Sequence, residues 1–477
     1  MAPRPHFLVL TFPLQGHIAP ALRLARHLLA AAPDALVTFS TAAPAHRRMF
    51  EEVQNGGGGG GDGDGDGDGD DGRLELLPFS DGTESGHVSG GDVAEFNGYM
   101  ASFHAEGRRS VGELVDALAA RGRPVSRVVY TLLLPWAADV ARERGVPSAL
   151  YWIQPVAVLA IYYHYFHGHA GVVDEHRRDQ SFVVELPGLP TLAVGDLPSF
   201  ITDAADPSDY FHGVFTTFRD LFDTLDRETP KATVLVNTCQ EFEETTLAAV
   251  GAYDVLTIGP VLPSGDEAGL FKQDDAKYME WLDSQPDDSV VYVSFGSLAF
   301  MAREQLDELL HGLEESGRPY LCVLRKDNKV KLADVEMDAA ALRNGMVVEW
   351  CDQVRVLSHA AVGCFVTHCG WNSVLESIAC GVPMVGVPQM SDQRMNAILV
   401  EHDWRVGVRA EVDGGRGVLR AAELRRRVKE VMGEGEAAAK VRRTAAGWKR
   451  AVAEALGKGG SSDRNLTAFV EGARSDI

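Results

Sequence analysis

The stretch Trp350–Gln393, WCDQVRVLSHAAVGCFVTHCGWNSVLESIACGVPMVGVPQMSDQ, holds the densest set of chemically specific residues in the chain. Two short apolar runs within it, Gly363–Val366 and Val382–Val387, are bounded by turn residues and predict buried strands. Between them Trp371, Val374, Leu375 and Ile378 recur at helical spacing and predict one apolar helix face, with Asn372, Ser373 and Glu376 off it. Gly370 opens this helix and Gly381 closes it. A strand, a turn and a helix whose first turn offers His368, Asn372, Ser373 and unpaired amides form an anion site, because free N–H groups and the helix dipole both favour negative charge. The anion this predicts is a phosphate.

The rest of the chain bounds what this unit belongs to. At 477 residues, 45% of them hydrophobic, it has the length of two or three domains. A formal net charge of −23 argues against nucleic acid or an anionic membrane as partner, since both need clustered Lys and Arg. The six cysteines show no Cys-x-x-Cys pair, so a reduced, cytoplasmic setting is expected and Cys364, His368 and Cys369 lack the partners of a structural zinc site. No apolar run has the length of a signal core or of a membrane span, and a soluble protein is expected.

In chain order, Phe7–Phe12 predicts a strand, Pro13–His17 a turn, Ile18–Ala31 a helix and Ala35–Ser40 the next strand. The alternation continues with strands at Arg127–Leu134, Ser148–Ile153 and Thr233–Asn237 and helices at Trp136–Gly145 and Val156–His167. That order implies a parallel sheet with ligands at the carboxyl ends of its strands, where His17 lies. A second series follows the polar, turn-rich segment around 263–275: strands at Val290–Phe295, Tyr320–Leu324 and Met346–Trp350, helices at Arg303–Glu315, Asp392–His402, Ala421–Val431, Ala437–Leu456 and Ser461–Val470. The tract 54–72, NGGGGGGDGDGDGDGDDG after Gln54, offers nothing to pack and predicts a disordered loop. Its Asp62, Asp64 and Asp66 match the start of a calcium loop, but the closing Glu would fall at Arg73, which argues against a calcium module.

From these residues alone the strongest inference is a nucleotide-like phosphate site on the second half, with a reactive group on the first. Trp350 offers a platform for a base, Glu376 suits ribose hydroxyls, and Asp392 and Gln393 suit a polyhydroxylated group. The plainer alternative makes Trp350 and Trp371 core, Asn372 and Ser373 caps and Glu376 a solvated acid.

The stretch also resembles, without a gap, the signature of the plant UDP-dependent glycosyltransferases that modify small molecules: WCDQ, HCGWNS, the Glu and the closing DQ all stand in place. FPLQGHIAP, VVYTLLLPWAADVA and VVYVSFGS extend the resemblance over nearly the whole chain. The resemblance implies a GT-B fold, with an acceptor-binding Rossmann-like domain over 1–262, a linker over 263–275, a UDP-sugar-binding domain over 276–456 and a C-terminal helix over 457–477 that returns to the first domain. It implies Trp350 on uracil, Gln353 and Glu376 on ribose, His368, Asn372 and Ser373 on the diphosphate with Ser297 and Trp371 beside them, and Asp392 and Gln393 on the sugar. Gln393 resembles glucose-using members, so the expected donor is UDP-glucose, a co-substrate, with no cofactor, no metal and a small-molecule acceptor bound by a monomer.

His17 is then the general base for an inverting transfer, kept neutral by the helix dipole. Members of the family usually place an Asp after the middle strand to support that His; here the position is Thr131. A threonine cannot offset a positive charge, so an already acidic acceptor, a carboxylic acid or acidic phenol, is expected. Trp136, Gln154, Tyr162 and Met390, with Tyr163, His164 and the segment Phe79–Glu84, are the candidates for the acceptor pocket. The rival reading is a catalytically weak UDP-sugar-binding regulatory protein, and its support is the missing Asp.

Overall fold

The structure, a computed structural model, describes residues 4–51, 72–86, 92–263, 277–296, 301–325, 343–414 and 417–475. Ser297, nearly all of the Gly/Asp tract and nearly all of the 263–275 segment lie outside them. The chain divides into two compact units, Met1–Lys272 with Ala455–Ile477, and Gln273–Glu454.

The first unit is built on β1 (His6–Leu10), β2 (Leu36–Ser40), β3 (Leu74–Leu76), β4 (Arg127–Thr131), β5 (Ser148–Trp152), β8 (Thr233–Val236) and β9 (Asp254–Thr257). They pair in parallel in the order β3-β2-β1-β4-β5-β8-β9, while β6 (Val183–Val184) and β7 (Leu192–Ala193) form a separate antiparallel ribbon. Every residue of β1 is buried, as a strand covered on both faces requires.

Three departures from the expected elements matter. Helix α1 (Gln15–Ala31) begins at Gln15, not Ile18, because the Leu14 carbonyl already accepts from His17 and Ile18; His17 therefore sits inside the first helical turn. Strand β4 stops at Thr131, short of Leu134, because Leu133 takes a left-handed φ of 71° and Pro135 follows. Helix α2 (Val93–Ala120), which the periodicity did not predict, opens on a capping box in which Asp92 accepts from Glu95 N and Glu95 from Asp92 N. Its glycines diluted the apolar pattern, and two are required by packing: a Cβ at Gly107 would meet Trp136 at 2.7 Å, one at Gly112 Arg144 at 2.6 Å.

The second unit repeats the plan with β10 (Val290–Ser294), β11 (Tyr320–Val323), β12 (Gly345–Val348), β13 (Val362–Thr367), β14 (Met384–Gly386) and β15 (Gly407–Arg409), all parallel in the order β12-β11-β10-β13-β14-β15. Helix α3 (Arg303–Glu315) follows β10, and α4 (Trp371–Cys380) joins β13 to β14. Gly381 closes α4 at φ 76°, the left-handed cap its sequence predicts. Helix α5 (Gln393–Ile398) follows β14. The final helix, α6 (Ser461–Ser475), packs on the first unit: Phe469 lies 5.9 Å from Phe7, Ser462 Oγ donates to Gly259 O at 2.6 Å and Asn465 Nδ2 to Thr257 O at 2.8 Å.

In both sheets the strand order reverses beside the first strand, between β1 and β4 and again between β10 and β13. The crevice outside the carboxyl ends at such a reversal is where open α/β sheets bind ligands. His17 and Thr131 stand at the first reversal and His368 at the second.

Candidate active site

At the reversal in the second unit, the turn between β13 and α4 is shaped around the His368 imidazole. A Cβ at Gly370 would lie 2.4 Å from His368 Nε2, and one at Gly296, φ 74°, 2.8 Å from the same atom, so two glycines clear the space the ring fills. Burial pushes the His368 pKa down to about 4. At neutral pH the turn thus sets a neutral ring beside the amides of the first turn of α4, whose N-cap Gly370 carries no capping side chain. Cys369 holds a left-handed φ of 61° and Ser391 one of 59°; both are costly for a residue with a Cβ, and both directly flank expected ligand residues.

Gln353, Ser373 and Glu376, distant in sequence, meet here: Gln353 Nε2 donates to Glu376 Oε2 at 2.8 Å and to Ser373 Oγ at 3.0 Å. Glu376 is 7% exposed, so it is no solvated surface acid. Asp392 is equally enclosed, and burial raises its carboxyl to about 6. Its Oδ2 accepts from Asn396 Nδ2 at 2.6 Å, and the same amide group reaches the Cys369 carbonyl at 2.9 Å. Asn396, which the sequence reading did not single out, therefore ties the Asp392 carboxylate to the turn between β13 and α4. Gln393 turns its Oε1 back onto the Gln389 and Met390 amides, at 2.9 and 3.1 Å, and holds that loop. Trp350 is half-buried beyond the end of β12. The Trp371 ring is 3% exposed and packs 5.7 Å from Trp404.

In the first unit, His17 lies 5.6 Å from Phe12, which packs 5.0 Å from Phe103 of α2. Desolvation lowers the His17 pKa to about 4, so the imidazole is neutral at neutral pH. Its enclosed Nδ1 has no hydrogen-bond partner among the described residues. Thr131 is fully buried with its hydroxyl committed elsewhere: it accepts from Phe12 N at 3.3 Å and donates to Thr11 Oγ1 at 3.2 Å. The threonine fastens the ends of β1 and β4 to each other and does not orient the imidazole.

Of the acceptor candidates, Trp136 is 5% exposed and stands edge-on to Phe79 and Phe103, 5.9 Å from each, near the His17 cluster. Its indole N–H is buried without a partner among the described residues, as is Nε2 of His104 on α2. Tyr162 is core instead: it is fully buried and stacked 4.4 Å from Phe218. Gln154 is buried just beyond the carboxyl end of β5, and Met390 belongs to the loop that Gln393 holds in the second unit. Phe103 and His104 went unnoticed because their helix did, although Asp92 and Glu95 were a legible start signal.

Comparison with known proteins gives this arrangement its family. The family model described as UDP-glucoronosyl and UDP-glucosyl transferase matches residues 221–437. The chain is 40% identical to UDP-glycosyltransferase 75C1 of Solanum lycopersicum over 98% of both chains. It is also 40% identical to the chloroplastic crocetin glucosyltransferase of Gardenia jasminoides, over 99% of this chain and 98% of that one. Among solved structures, Os79 from O. sativa in complex with U2F and trichothecene superposes with a TM-score of 0.78 at 32% identity, covering 98% of this chain and all of that one. The chain belongs to the plant UDP-dependent glycosyltransferases and has their GT-B fold of two Rossmann-like units. Among the described residues no helix is long and apolar enough to cross a membrane, and no group of three or more His, Cys, Asp or Glu side chains is placed to hold a metal ion.

Proposed function

We propose that this protein transfers glucose from UDP-glucose to an acidic oxygen of a small plant metabolite, with inversion at the anomeric carbon. The observation that carries the reading is the set gathered at the second reversal point: neutral His368 in its glycine cradle, the paired Gln353 and Glu376, and buried Asp392. In this reading Trp350 stacks on uracil, Gln353 and Glu376 take the ribose, and His368 with the Asn372 and Ser373 turn takes the diphosphate, beside Ser297 and the Trp371 amide. Asp392 and Gln393 take the sugar. The acceptor oxygen attacks the anomeric carbon as the bond to UDP breaks; any proton on that oxygen passes to His17, and the departing diphosphate charge is met by the start of α4. These steps call on no cofactor.

The acidic acceptor follows from the same residues. An imidazole whose Nδ1 has no carboxylate behind it is poorly supported once protonated, so it serves best where the acceptor has little proton left to give. The missing carboxylate is also what favours the second reading, a regulatory protein that binds UDP-sugar and barely turns it over. Incubation with UDP-glucose and a panel of flavonoids, phenolic acids and hormone acids, read by UDP release and hexose gain in mass, separates the two. Transfer to acids supports the enzyme; binding with only slow hydrolysis across the panel supports the regulator. We further infer a cytoplasmic monomer, checked by gel filtration and by the location of a fluorescent fusion.

A further inference from the structure

Behind the expected ribose pair stands a residue that touches no expected ligand. Tyr292 lies within β10, 1% exposed, its ring stacked 4.8 Å from Phe365 of β13. Its hydroxyl donates to Gln353 Oε1 at 3.2 Å and lies 3.3 Å from Cys351 Sγ. A phenol has one proton, and with that proton on Gln353 the thiol must be the donor in the second contact. The Gln353 amide is set from its other end as well. An ionised carboxylate only accepts, so the atom facing Glu376 Oε2 is Nε2 and the atom facing the phenol is Oε1. The hydrogen bonds thus run one way, from Cys351 to Tyr292 to Gln353 to Glu376, and a reversed amide would set oxygen against oxygen at the carboxylate.

We propose that Tyr292 is a positioning residue that holds Gln353 and Glu376 in the arrangement that distinguishes ribose from deoxyribose in the donor. This rests on the UDP-sugar reading above. The phenol closes the acceptor end of the Gln353 amide, so the amide's two donors stay on Ser373 and Glu376 and the carboxylate keeps one orientation. Without it, the amide oxygen loses its fixed partner, the Gln353 side chain can shift while its Nε2 stays on Glu376, and the pair loses its fixed geometry.

The test compares kcat/KM for UDP-glucose with that for its 2′-deoxyribose analogue in the full-length enzyme. Wild type should favour the ribose form by about tenfold or more, as a site built to hydrogen-bond a hydroxyl does. Tyr292→Phe should lower that preference by about fivefold, the value of one hydrogen bond, through a higher KM for UDP-glucose with kcat nearly kept. Cys351→Ala, which removes the first donor and leaves the phenol, should move the ratio in the same direction by less, and it serves if Tyr292→Phe does not fold. A preference unchanged in both variants, with wild-type melting temperature, overturns the proposal. Glu376→Gln separates the two levels of failure. If it collapses the preference while Tyr292→Phe does not, only the positioning role falls; if it leaves the preference intact, the ribose assignment itself falls.

Discussion

At the scale of single residues, the unusual pair is His17 and Thr131. The imidazole is neutral because it is desolvated, and the threonine hydroxyl is spent on joining two strand ends. Thr131→Asp supplies the carboxylate that members of the family usually carry at this position. Thr131→Asp should therefore raise the rate on a weakly acidic alcohol, relative to a carboxylic acid, by about tenfold, a modest part of what a supported general base contributes. Initial rates on a matched alcohol and acid measure it, and an unchanged ratio contradicts the acidic-acceptor reading. The identity of the residue at 131 was legible in the sequence. That its hydroxyl points to Thr11 and Phe12 was not, because a side-chain hydrogen bond between strands 120 residues apart leaves no local pattern.

Among elements, the β13–α4 turn concentrates the site. It combines a left-handed Cys369, two glycines that clear space for His368, and a helix start with bare amides. Gly370→Ala would drive a methyl group to 2.4 Å from His368 Nε2. The ring or the turn must then move, and UDP affinity should fall by at least about tenfold, the loss of one or two charge-assisted hydrogen bonds. Titration calorimetry with UDP measures this, and wild-type affinity would show that the cradle is not the phosphate site. The turn was the most legible element because its signals are local: alternation of strand and helix periods with glycine at both helix ends. The long helix Val93–Ala120 escaped because its internal glycines serve the packing of Trp136 and Arg144, a tertiary demand that breaks the local period. The short edge strands Leu74–Leu76 and Gly407–Arg409 escaped because three residues carry too little alternation.

Both units carry partly enclosed imidazoles, and these set the response to acid. His17, His104 and His368 all have pKa values lowered to about 4 by burial, against 6.5 for an exposed ring. Between those values the unfolded chain binds protons that the folded chain does not, so stability is full above 6.5 and falls as pH drops towards 4. Asp392, raised to about 6, acts in the opposite sense: the folded state holds its proton more tightly, which adds stability as pH falls from 6 towards 3.8. Three groups outweigh one, so the melting temperature of the unliganded protein should decline by several degrees between pH 7 and pH 5, read by calorimetry; a flat or rising profile would mean these rings are not enclosed in solution. The repeated strand order, with a reversal in each sheet, places His17 in one unit and His368 with its two glycines in the other. The central claim is that the two serve one reaction. Its most direct measurement follows UDP-glucose consumption and acceptor glucosylation side by side in wild type and His17→Ala with a phenolic acceptor. Wild type should glucosylate one acceptor per UDP released, and the variant should lose most transfer with UDP binding intact. UDP release without acceptor glucosylation in wild type, or transfer undiminished in His17→Ala, would contradict it.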